Sequence, residues 1–574
     1  MAHPGSGLTV AVLGKTAPSK NVPPRTTSAN GAGPRSGSSG HRKYSIALGM
    51  AATAVLGFLG LFFAWPVVAI IGLGLDGGVA EVLTSARTWD LVAFTLGQAA
   101  VSTVLALLAG MPVAYVLARV AVPGKTLLRA VVTVPFVLPT LVVGMAFRAL
   151  LGAEGGGGAS GLLGIVLANA FFNVSVVART VGGLWTHLDR RTEDAARSLG
   201  ASRLRAFISV TLPALRPALG SAMAIVFLFC STSFGVVLVL GGGTYRTLET
   251  EIYLRTVRLL DLSGAAALSL LQLAAVLAAL VIAAVARRRR EAALRLRSAG
   301  DTARRPQGAE WCVVGAAVLV VLGLLVPIAG LLARSVSTRD GWSLAGYRAL
   351  AGSGDNGTLA VSGWEAAWNS LRTAADATWM ALLLGILASI VLVGLRRRVA
   401  AEMMDAALML PLGVSAVTVG FGYLITLDTL PGDLRTSPLL VPFAQALLVT
   451  PLVIRMVLPV LRSIDGRLRE AAATLGASPW RVRWEIDAPL AARAVLAAAG
   501  FGFVVALGEF GATSFLARPE APTLPVVIAR LLARPGELNL QMAYAACALL
   551  MLVTALAVLV IERMRVRTET VGEF

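Results

Sequence analysis

The sequence is poor in the residues that build most metal centres and disulfide frameworks. It holds three cysteines and three histidines in 574 residues, and the cysteines lie singly in apolar stretches, at Cys230, Cys312 and Cys547. No CxxC pair is present, which argues against a disulfide framework or a zinc site. Charged residues make up 14% of the chain, whereas an ordinary soluble chain carries roughly 25%. These scarcities argue against a soluble multidomain enzyme and predict no metal site.

The chain also lacks a nucleotide-binding loop. Gly-Lys-Thr occurs at 14–16 and at 124–126, but a phosphate-binding loop needs another Gly five residues before the Gly of that tripeptide. Thr9 and Arg119 occupy those positions. No catalytic triad is visible either. We therefore expect a protein that is not an enzyme and binds no cofactor itself, and any ATP must be used by a separate subunit.

Apolar length is what the sequence has in excess. Hydrophobic residues make up 56% of the chain, and the mean hydropathy is +0.78. A run of about 20 apolar residues crosses a bilayer as a helix, because lipid offers the backbone no hydrogen-bond partners. The predicted fold class is an all-α integral membrane protein with about 12 transmembrane helices. The predicted spans are 46–74, 91–118, 130–151, 161–181, 215–240, 262–286, 312–334, 366–395, 403–427, 438–461, 490–516 and 540–562.

The basic excess follows the loops between these spans. With the N-terminus inside, the cytosolic segments hold 33 basic and 13 acidic residues, and the opposite loops hold 10 basic and 14 acidic residues. The positive-inside rule then predicts a multi-pass protein with both termini in the cytoplasm. The same placement indicates contact with the lipid bilayer and no nucleic-acid partner.

The two halves of the chain repeat each other. Adding 276 places Pro135 on Pro411 and Gly144 on Gly420, and upstream the offset is 275. Each half has an even number of spans, so the copies form two parallel six-helix repeats. The predicted divisions are a disordered basic cytosolic tail (1–43), a first half (44–286), a basic cytosolic linker (287–310), a second half (311–564) and a cytosolic tail (565–574).

The best-matched part of the repeat is the loop after the fourth span of each half. In each copy an acidic residue is followed by a glycine and then by a proline at the same spacing. The acidic residue favours a helix N-terminus, the glycine permits a left-handed turn, and the proline sets the entry to the next span. The pattern predicts a helical elbow that docks in a groove of a partner. Its residues are Asp194, Ala195, Ala196, Gly200, Ala201 and Pro213 in the first copy, and Glu470, Ala471, Ala472, Gly476, Ala477 and Pro489 in the second.

Both segments resemble the EAA loop of ABC importer permeases, the binding-protein-dependent inner-membrane components, and the resemblance covers roughly 44–564. Asp194 departs from the usual Glu. The resemblance implies a fused two-half permease, similar to thiamine and ferric-iron permeases, that moves a small solute inward by alternating access in a bacterial inner membrane. It also implies two ATP-binding subunits on the elbows and an extracytoplasmic solute-binding protein.

Four residues, two in the fifth span of each half, are predicted to line the translocation path. They are Ser233, Phe234, Glu509 and Phe510. Two interpretations of Glu509 stay open, because a charge within a span is costly. Either it lines the path, where it attracts a cationic solute or stabilises a gate, or it is a carboxylate that is paired or capped within the bundle or lies near the outer interface. The stretch from Ser233 to Gly243 is closer to the thiamine permeases than to the ferric-iron permeases, and the solute itself stays open.

A secondary active carrier with two six-helix halves is the alternative function. Such a carrier predicts ion-coupling acids or histidines near the middle of the membrane, and Glu509 is the one convincing candidate. The two elbows would have no purpose in a carrier. Co-purification of an ATPase separates the two classes.

Overall fold

The computed structural model describes residues 37–76, 79–152, 158–288, 304–338, 341–352, 359–395, 397–427, 429 and 437–571. The predicted tail (1–36 of it), most of the linker and the last three residues lie outside these ranges. The first half comprises α1 (Gly37–Leu59), α2 (Trp65–Leu75), α3 (Val79–Thr84), α4 (Ala86–Arg119), α5 (Lys125–Val137), α6 (Thr140–Leu151), α7 (Gly158–His187), α8 (Arg191–Ser198), α9 (Arg203–Ala206), α10 (Leu212–Ser231), α11 (Gly235–Leu240), α12 (Leu248–Leu254) and α13 (Leu262–Arg288).

The second half is helical in the same order and adds one short hairpin. Its elements are α14 (Glu310–Val336), β1 (Ser337–Thr338), β2 (Gly341–Trp342), α15 (Ala345–Ala351), α16 (Gly363–Gly394), α17 (Arg398–Met409), α18 (Ala416–Thr426), α19 (Leu440–Ser463), α20 (Gly466–Thr474), α21 (Pro479–Val482), α22 (Ala488–Leu507), α23 (Thr513–Leu516), α24 (Leu524–Leu532) and α25 (Glu537–Val571). Single π-helical turns connect α1 to α2, α9 to α10 and α21 to α22.

The helices confirm the predicted all-α membrane fold. Ten of those described are long and apolar enough to cross a bilayer, and two bent pairs raise the number to twelve if each pair is one span. At its N-terminal end α1 starts at Gly37, so residues 37–43 are helical although composition assigned them to the disordered tail. Adding residues to an existing helix costs far less than starting one, which accounts for this extension.

Four predicted spans are broken rather than continuous. The pair α5 and α6 bends by 102°, and the pair α17 and α18 bends by 94°. In the first pair Leu138 is extended (φ −69°, ψ 137°), because the residue before a proline is pushed out of the helical region. The predicted spans 215–240 and 490–516 are also interrupted, between α10 and α11 and between α22 and α23.

The repeat predicted from the sequence is visible in the packing. Gly110 lets α4 approach α7 so closely that a Cβ there would lie 2.6 Å from Val177. At the equivalent place a Cβ on Gly385 would lie 2.6 Å from Val453. Small residues at helix crossings allow such contacts within a bilayer. The two halves therefore use the same helix crossing.

The first helix of each half packs largely on the other half. Phe62, at the turn between α1 and α2, stacks on Phe443 of the second half with ring centroids 4.8 Å apart, and Val55 of α1 belongs to a buried cluster with Val391 of α16. In return α14 packs on α4 and α6, where Val314 joins a cluster of first-half residues. The halves defined by chain order are thus interlocked.

Candidate functional site

Two regions carry the residues singled out from the sequence. We define the first elbow as residues 191–213 and the second elbow as residues 467–489. The central seam is the region where the four broken spans meet, at the breaks 138–139, 232–234, 410–415 and 508–512.

An aspartate lies at the start of the short helix in each elbow, as the N-cap of α20 and one residue before the N-cap of α8. The Asp189 carboxylate accepts a hydrogen bond from the backbone N–H of Arg191 (3.0 Å), and Asp465 accepts one from Arg467 (3.0 Å). Asp194 lies in the first turn of α8, as predicted, where its charge favours the helix dipole. The corresponding prediction for Glu470 is wrong, because α20 starts at Gly466 and places Glu470 beyond the first turn.

Both elbow helices end in the same glycine turn. Gly200 and Gly476 have φ of 91° and 85°. The N–H of Ala201 donates to the carbonyl of Ala196 (3.1 Å), and the N–H of Ala477 donates to that of Ala472 (3.0 Å). This six-to-one bond, together with the left-handed glycine, is a Schellman motif. The predicted left-handed turn is present in both copies.

The second part of each elbow returns the chain to the next span. A serine caps the short helix in both copies: Ser202 accepts a hydrogen bond from the N–H of Arg205, and Ser478 accepts one from that of Arg481, each at 3.3 Å. A π-helical turn follows, and then a proline occupies the first positions of α10 or α22. These prolines are Pro213 and Pro489.

The tips of the elbows are apolar and exposed. Leu199 and Leu475, which occupy equivalent positions, are 89% and 88% exposed. Neither α8 nor α20 has a buried residue. The remaining predicted docking residues of the helices and turns are exposed or half-buried: Asp194, Ala195, Ala196, Gly200, Ala201, Glu470, Ala471, Ala472, Gly476 and Ala477. An exposed apolar tip on a polar helix is typical of a protein interface.

The second elbow is braced by an ion pair that sequence analysis missed. The Arg469 Nε lies 2.8 Å from Oδ1 of Asp487, and Arg483 lies 3.2 Å from the other carboxylate oxygen. The Asp487 side chain is 4% exposed. In the first elbow the equivalent residues are Glu193 and Thr211, whose hydroxyl donates to the carboxylate (3.3 Å). Comparing these paired positions across the repeat is the signal that could have found both braces.

The first elbow is also tied to the end of the linker. The Arg203 guanidinium donates to the carbonyl of Gln307 (2.8 Å), and Arg190 lies 3.9 Å from the Glu310 carboxylate. Glu310 is the first residue of α14 and pairs with Arg304 (2.6 Å). Residues 304–310 therefore join the first elbow to the helix that opens the second half.

The central seam brings the four helix breaks together. A Cβ on Gly235 would lie 2.5 Å from Thr140, and a Cβ on Gly511 would lie 2.8 Å from Ala416. These two contacts are equivalent in the repeat, and each joins an interrupted fifth span to a bent third span. Within a bilayer, non-helical backbone is tolerated where protein buries it or where it lines a cavity, and discontinuous helices commonly form solute sites.

Two predicted path residues meet across the seam. The rings of Phe234 and Phe510 stack with centroids 5.2 Å apart and planes within 10°. They are equivalent residues of the two halves, so the stack lies where the repeats face each other. Both side chains are buried in the structure (6% and 3% exposed). The structure thus brings together two residues that are 276 positions apart.

The polar path residues belong to hydrogen-bonded groups at equivalent positions. In the first half Ser233 donates to Asn169 (2.8 Å), whose amide donates to Gln98 (3.0 Å). In the second half, Glu509 takes the place of Ser233, and its carboxylate accepts hydrogen bonds from the N–H groups of Ala512 (2.7 Å) and Thr513 (3.1 Å). Glu509 therefore caps α23. Its contact with a solute stays a prediction.

Comparison with known proteins fits this architecture. The family model described as "Binding-protein-dependent transport system inner membrane component" matches residues 110–291 and 381–567, once in each half. The chain is 26% identical to the thiamine transport system permease protein ThiP of Brucella abortus (strain 2308), over 80% of this chain and 86% of the relative. It is also 26% identical to ThiP of Escherichia coli (strain K12), over 83% and 87%.

A shorter relative matches one half. The sulfate transport system permease protein CysT of Escherichia coli (strain K12) is 34% identical over 207 residues, which are 34% of this chain and 75% of the relative. These relatives are transport permeases rather than enzymes. With two family matches that cover more than half of its length, one in each parallel repeat, the chain belongs to the family of binding-protein-dependent transport system inner membrane components and is a fused, two-half ABC importer permease.

Proposed function

We propose that this chain is the membrane-spanning subunit of an ATP-driven importer that moves a thiamine-type solute into a bacterial cell. The observation that carries the proposal is the pair of matched elbows, each with an exposed leucine tip and each braced to the start of the next span. A rigid connection of this kind can pass a push on the elbow to a transmembrane helix. The thiamine relatives, matched over 86% and 87% of their length, support a thiamine-type solute.

Two ATP-binding subunits would hold the elbows, and an extracytoplasmic solute-binding protein would deliver the solute to the opposite face. The chain binds no cofactor itself, and ATP acts on the partner subunits. The protein would lie in the bacterial inner membrane with both termini in the cytoplasm. The distribution of basic residues among the loops supports this orientation. ATP would favour one arrangement of the halves and its hydrolysis the other, which gives alternating access by a population shift.

Co-purification tests the docking surface. A tagged full-length chain, expressed with the ATP-binding subunit encoded beside it, is expected to retain that subunit. Leu475→Asp places a charge in the apolar contact and should reduce the retained ATPase at least about tenfold, since burying an unpaired charge costs several kcal/mol. The matched control is Leu127→Asp, another exposed leucine (68%) at the start of α5, which should retain the partner.

Reconstitution tests the energy source. Proteoliposomes that contain the chain, its ATP-binding subunits and the solute-binding protein should accumulate tritiated thiamine when ATP is supplied on the elbow side. Dissipating ion gradients with ionophores should leave that accumulation intact. Accumulation that needs an ion gradient and proceeds without ATP would contradict the proposal and support a secondary carrier.

A further inference from the structure

The seam carries more aromatic rings than the predicted path contains. Tyr253 of α12 packs edge-on against Phe234, with centroids 5.2 Å apart and planes at 60°. Phe515 of α23 packs edge-on against Tyr253, at 5.5 Å and 81°. With the Phe234–Phe510 stack, these residues form a continuous group of four rings, which we call the aromatic cluster. Two of its three ring contacts join one half to the other.

On the basis of the proposed function, we propose that the aromatic cluster, with the carboxylate of Glu509 beside it, is the binding site for a planar aromatic monocation within the membrane. In the closed seam the rings cover one another. When the halves separate, the cross-half contacts between Phe234 and Phe510 and between Tyr253 and Phe515 must open. The faces that are released are electron-rich surfaces on which a flat cation can stack.

The position next to the central ring pair carries a charge in one half and not in the other. Glu509 replaces Ser233 in the repeat, so one half contributes a carboxylate and the other a hydroxyl. Three hydrogen bonds from Ala512 and Thr513 fix that carboxylate next to Phe510 in the chain. This fixed carboxylate offers a negative charge to a cationic ligand.

The rings are one-sided as well. The position equivalent to Tyr253 is Ala529, and the position equivalent to Phe515 is Val239. The symmetric pair Phe234 and Phe510 thus has two further rings whose counterparts across the repeat are aliphatic. An asymmetric site can hold a flat ligand in one orientation, which a site with exact twofold symmetry cannot do. Thiamine has this chemistry, with aromatic rings and one permanent positive charge.

Equilibrium binding tests the aromatic cluster directly. The probe is tritiated thiamine, added to the full-length chain purified with its ATP-binding subunits in lipid nanodiscs without the solute-binding protein. Phe510→Leu keeps apolar bulk but removes a ring face, and we expect binding to weaken about tenfold, because the cation loses one cation–π contact in a desolvated site. Tyr253→Leu should weaken it about fivefold, whereas Tyr253→Phe should retain it.

Glu509→Gln separates charge from shape. Thiochrome, a neutral planar oxidation product of thiamine, should compete poorly with thiamine in the unchanged protein. Glu509→Gln should weaken thiamine binding about tenfold and reduce the preference for thiamine over thiochrome. The matched control is Phe94→Leu, which removes one ring of a stacked pair within the first half (Phe94 and Tyr245, 5.4 Å) and should leave binding unchanged.

The outcomes separate the two proposals. Equal thiamine binding by Phe510→Leu, Tyr253→Leu and Phe94→Leu would contradict the proposed cation site. The aromatic cluster would then only close the seam by packing. Thiamine uptake by cells with no binding to the purified complex would contradict the cation site too. If cells that express the unchanged system take up no thiamine, the proposed solute is wrong, and the site assigned to it falls as well. If Phe510→Leu does not assemble, the comparison of Tyr253→Leu with Tyr253→Phe decides.

Discussion

The first elbow and the second elbow have the same backbone but are fastened to the protein differently. Both have an aspartate that accepts a backbone hydrogen bond at the start of the first helix, a left-handed glycine and a serine cap, all at equivalent positions. The second elbow is held by the Arg469–Asp487 ion pair at 2.8 Å. The first is held by a hydroxyl–carboxylate hydrogen bond at 3.3 Å and by contacts with residues 304–310. The repeat therefore keeps the shape of the elbow but not the contacts that fasten it to the rest of the protein.

This difference suggests that motion enters the halves by two routes. A displacement of the second elbow reaches α22 through the buried Asp487 carboxylate, and it reaches the end of α19 through the hydrogen bond from Arg469 to the carbonyl of Leu461 (3.0 Å). A displacement of the first elbow reaches α10, and through Arg203 and Gln307 it also reaches the start of α14. Because α14 packs on α4 and α6, the first elbow is connected at two places to the same half. Both connections of the second elbow depend on Arg469, whereas those of the first elbow use different residues. We therefore expect the first elbow to tolerate the loss of any one side chain better.

Breaking the shared turn should have the largest effect, and it should be equal in the two elbows. Proline fixes φ near −65°, whereas Gly200 and Gly476 have φ of about 90°. Gly200→Pro and Gly476→Pro should therefore each break the turn. Either variant should reduce ATP-dependent thiamine uptake in proteoliposomes more than about tenfold. The control is Gly476→Ala. A proline at a helical glycine such as Gly183 would disrupt α7 and is not a suitable control. Uptake by Gly476→Pro that equals uptake by Gly476→Ala would contradict the docking role.

Breaking the brace of the second elbow should have the next largest effect. Asp487→Asn leaves Arg469 and Arg483 close together without their carboxylate, and we expect a local cost of about 2 kcal/mol, since Arg469 is 27% exposed. The matched change in the first elbow, Thr211→Val, removes one hydrogen bond and should cost about 1 kcal/mol. Hydrogen–deuterium exchange of α20 and α8 measures both. Equal acceleration in the two helices would contradict the distinction.

Breaking the contact with the linker should produce a smaller, partial effect. Arg203→Ala removes the hydrogen bond to Gln307 while the elbow turn stays intact. We expect the ATP-binding subunits to remain bound and uptake per ATP hydrolysed to fall about threefold. Arg205→Ala, an exposed arginine on the same short helix, is the control and should leave the ratio unchanged. Loss of ATPase binding in Arg203→Ala would assign this residue to docking instead.

The smallest effect should come from adding a methyl group at the turns. Gly200→Ala and Gly476→Ala force a side chain into the left-handed region, at a cost of roughly 1–2 kcal/mol, and open space surrounds both positions. Exchange of the amides at the end of α8 and α20 should increase to a similar extent. A difference between the two would show that the turns, and not the braces alone, distinguish the elbows.

The elbows were predictable because their signals are local. A capping acid, a glycine and a proline at fixed spacing define the shape, and the repeat shows the pattern twice. The start of α20 was missed because Asp465, rather than Glu470, caps it. The braces were missed because Arg469 and Asp487 are 18 residues apart, and the spacing alone does not show that the chain folds back between them.

Hydropathy could not predict the interruptions of the spans or the interlocking of the halves. An apolar run reads as one span whether it is straight or bent by about 100°, and Pro139 and Ser415 mark the bends only in hindsight. Helix faces that contact lipid and faces that contact protein are equally apolar. For this reason Phe62 and Val314 gave no sign that they would pack on the opposite half.

The reciprocal placement of α1 and α14 has a consequence for how the protein could be divided. If the chain were expressed as two polypeptides separated between α13 and α14, each fragment would leave bare the groove that the other fragment's leading helix fills. Neither fragment should fold stably alone, but the two fragments together should assemble without a covalent connection. Fusion would then serve mainly to secure equal numbers of two dissimilar partners.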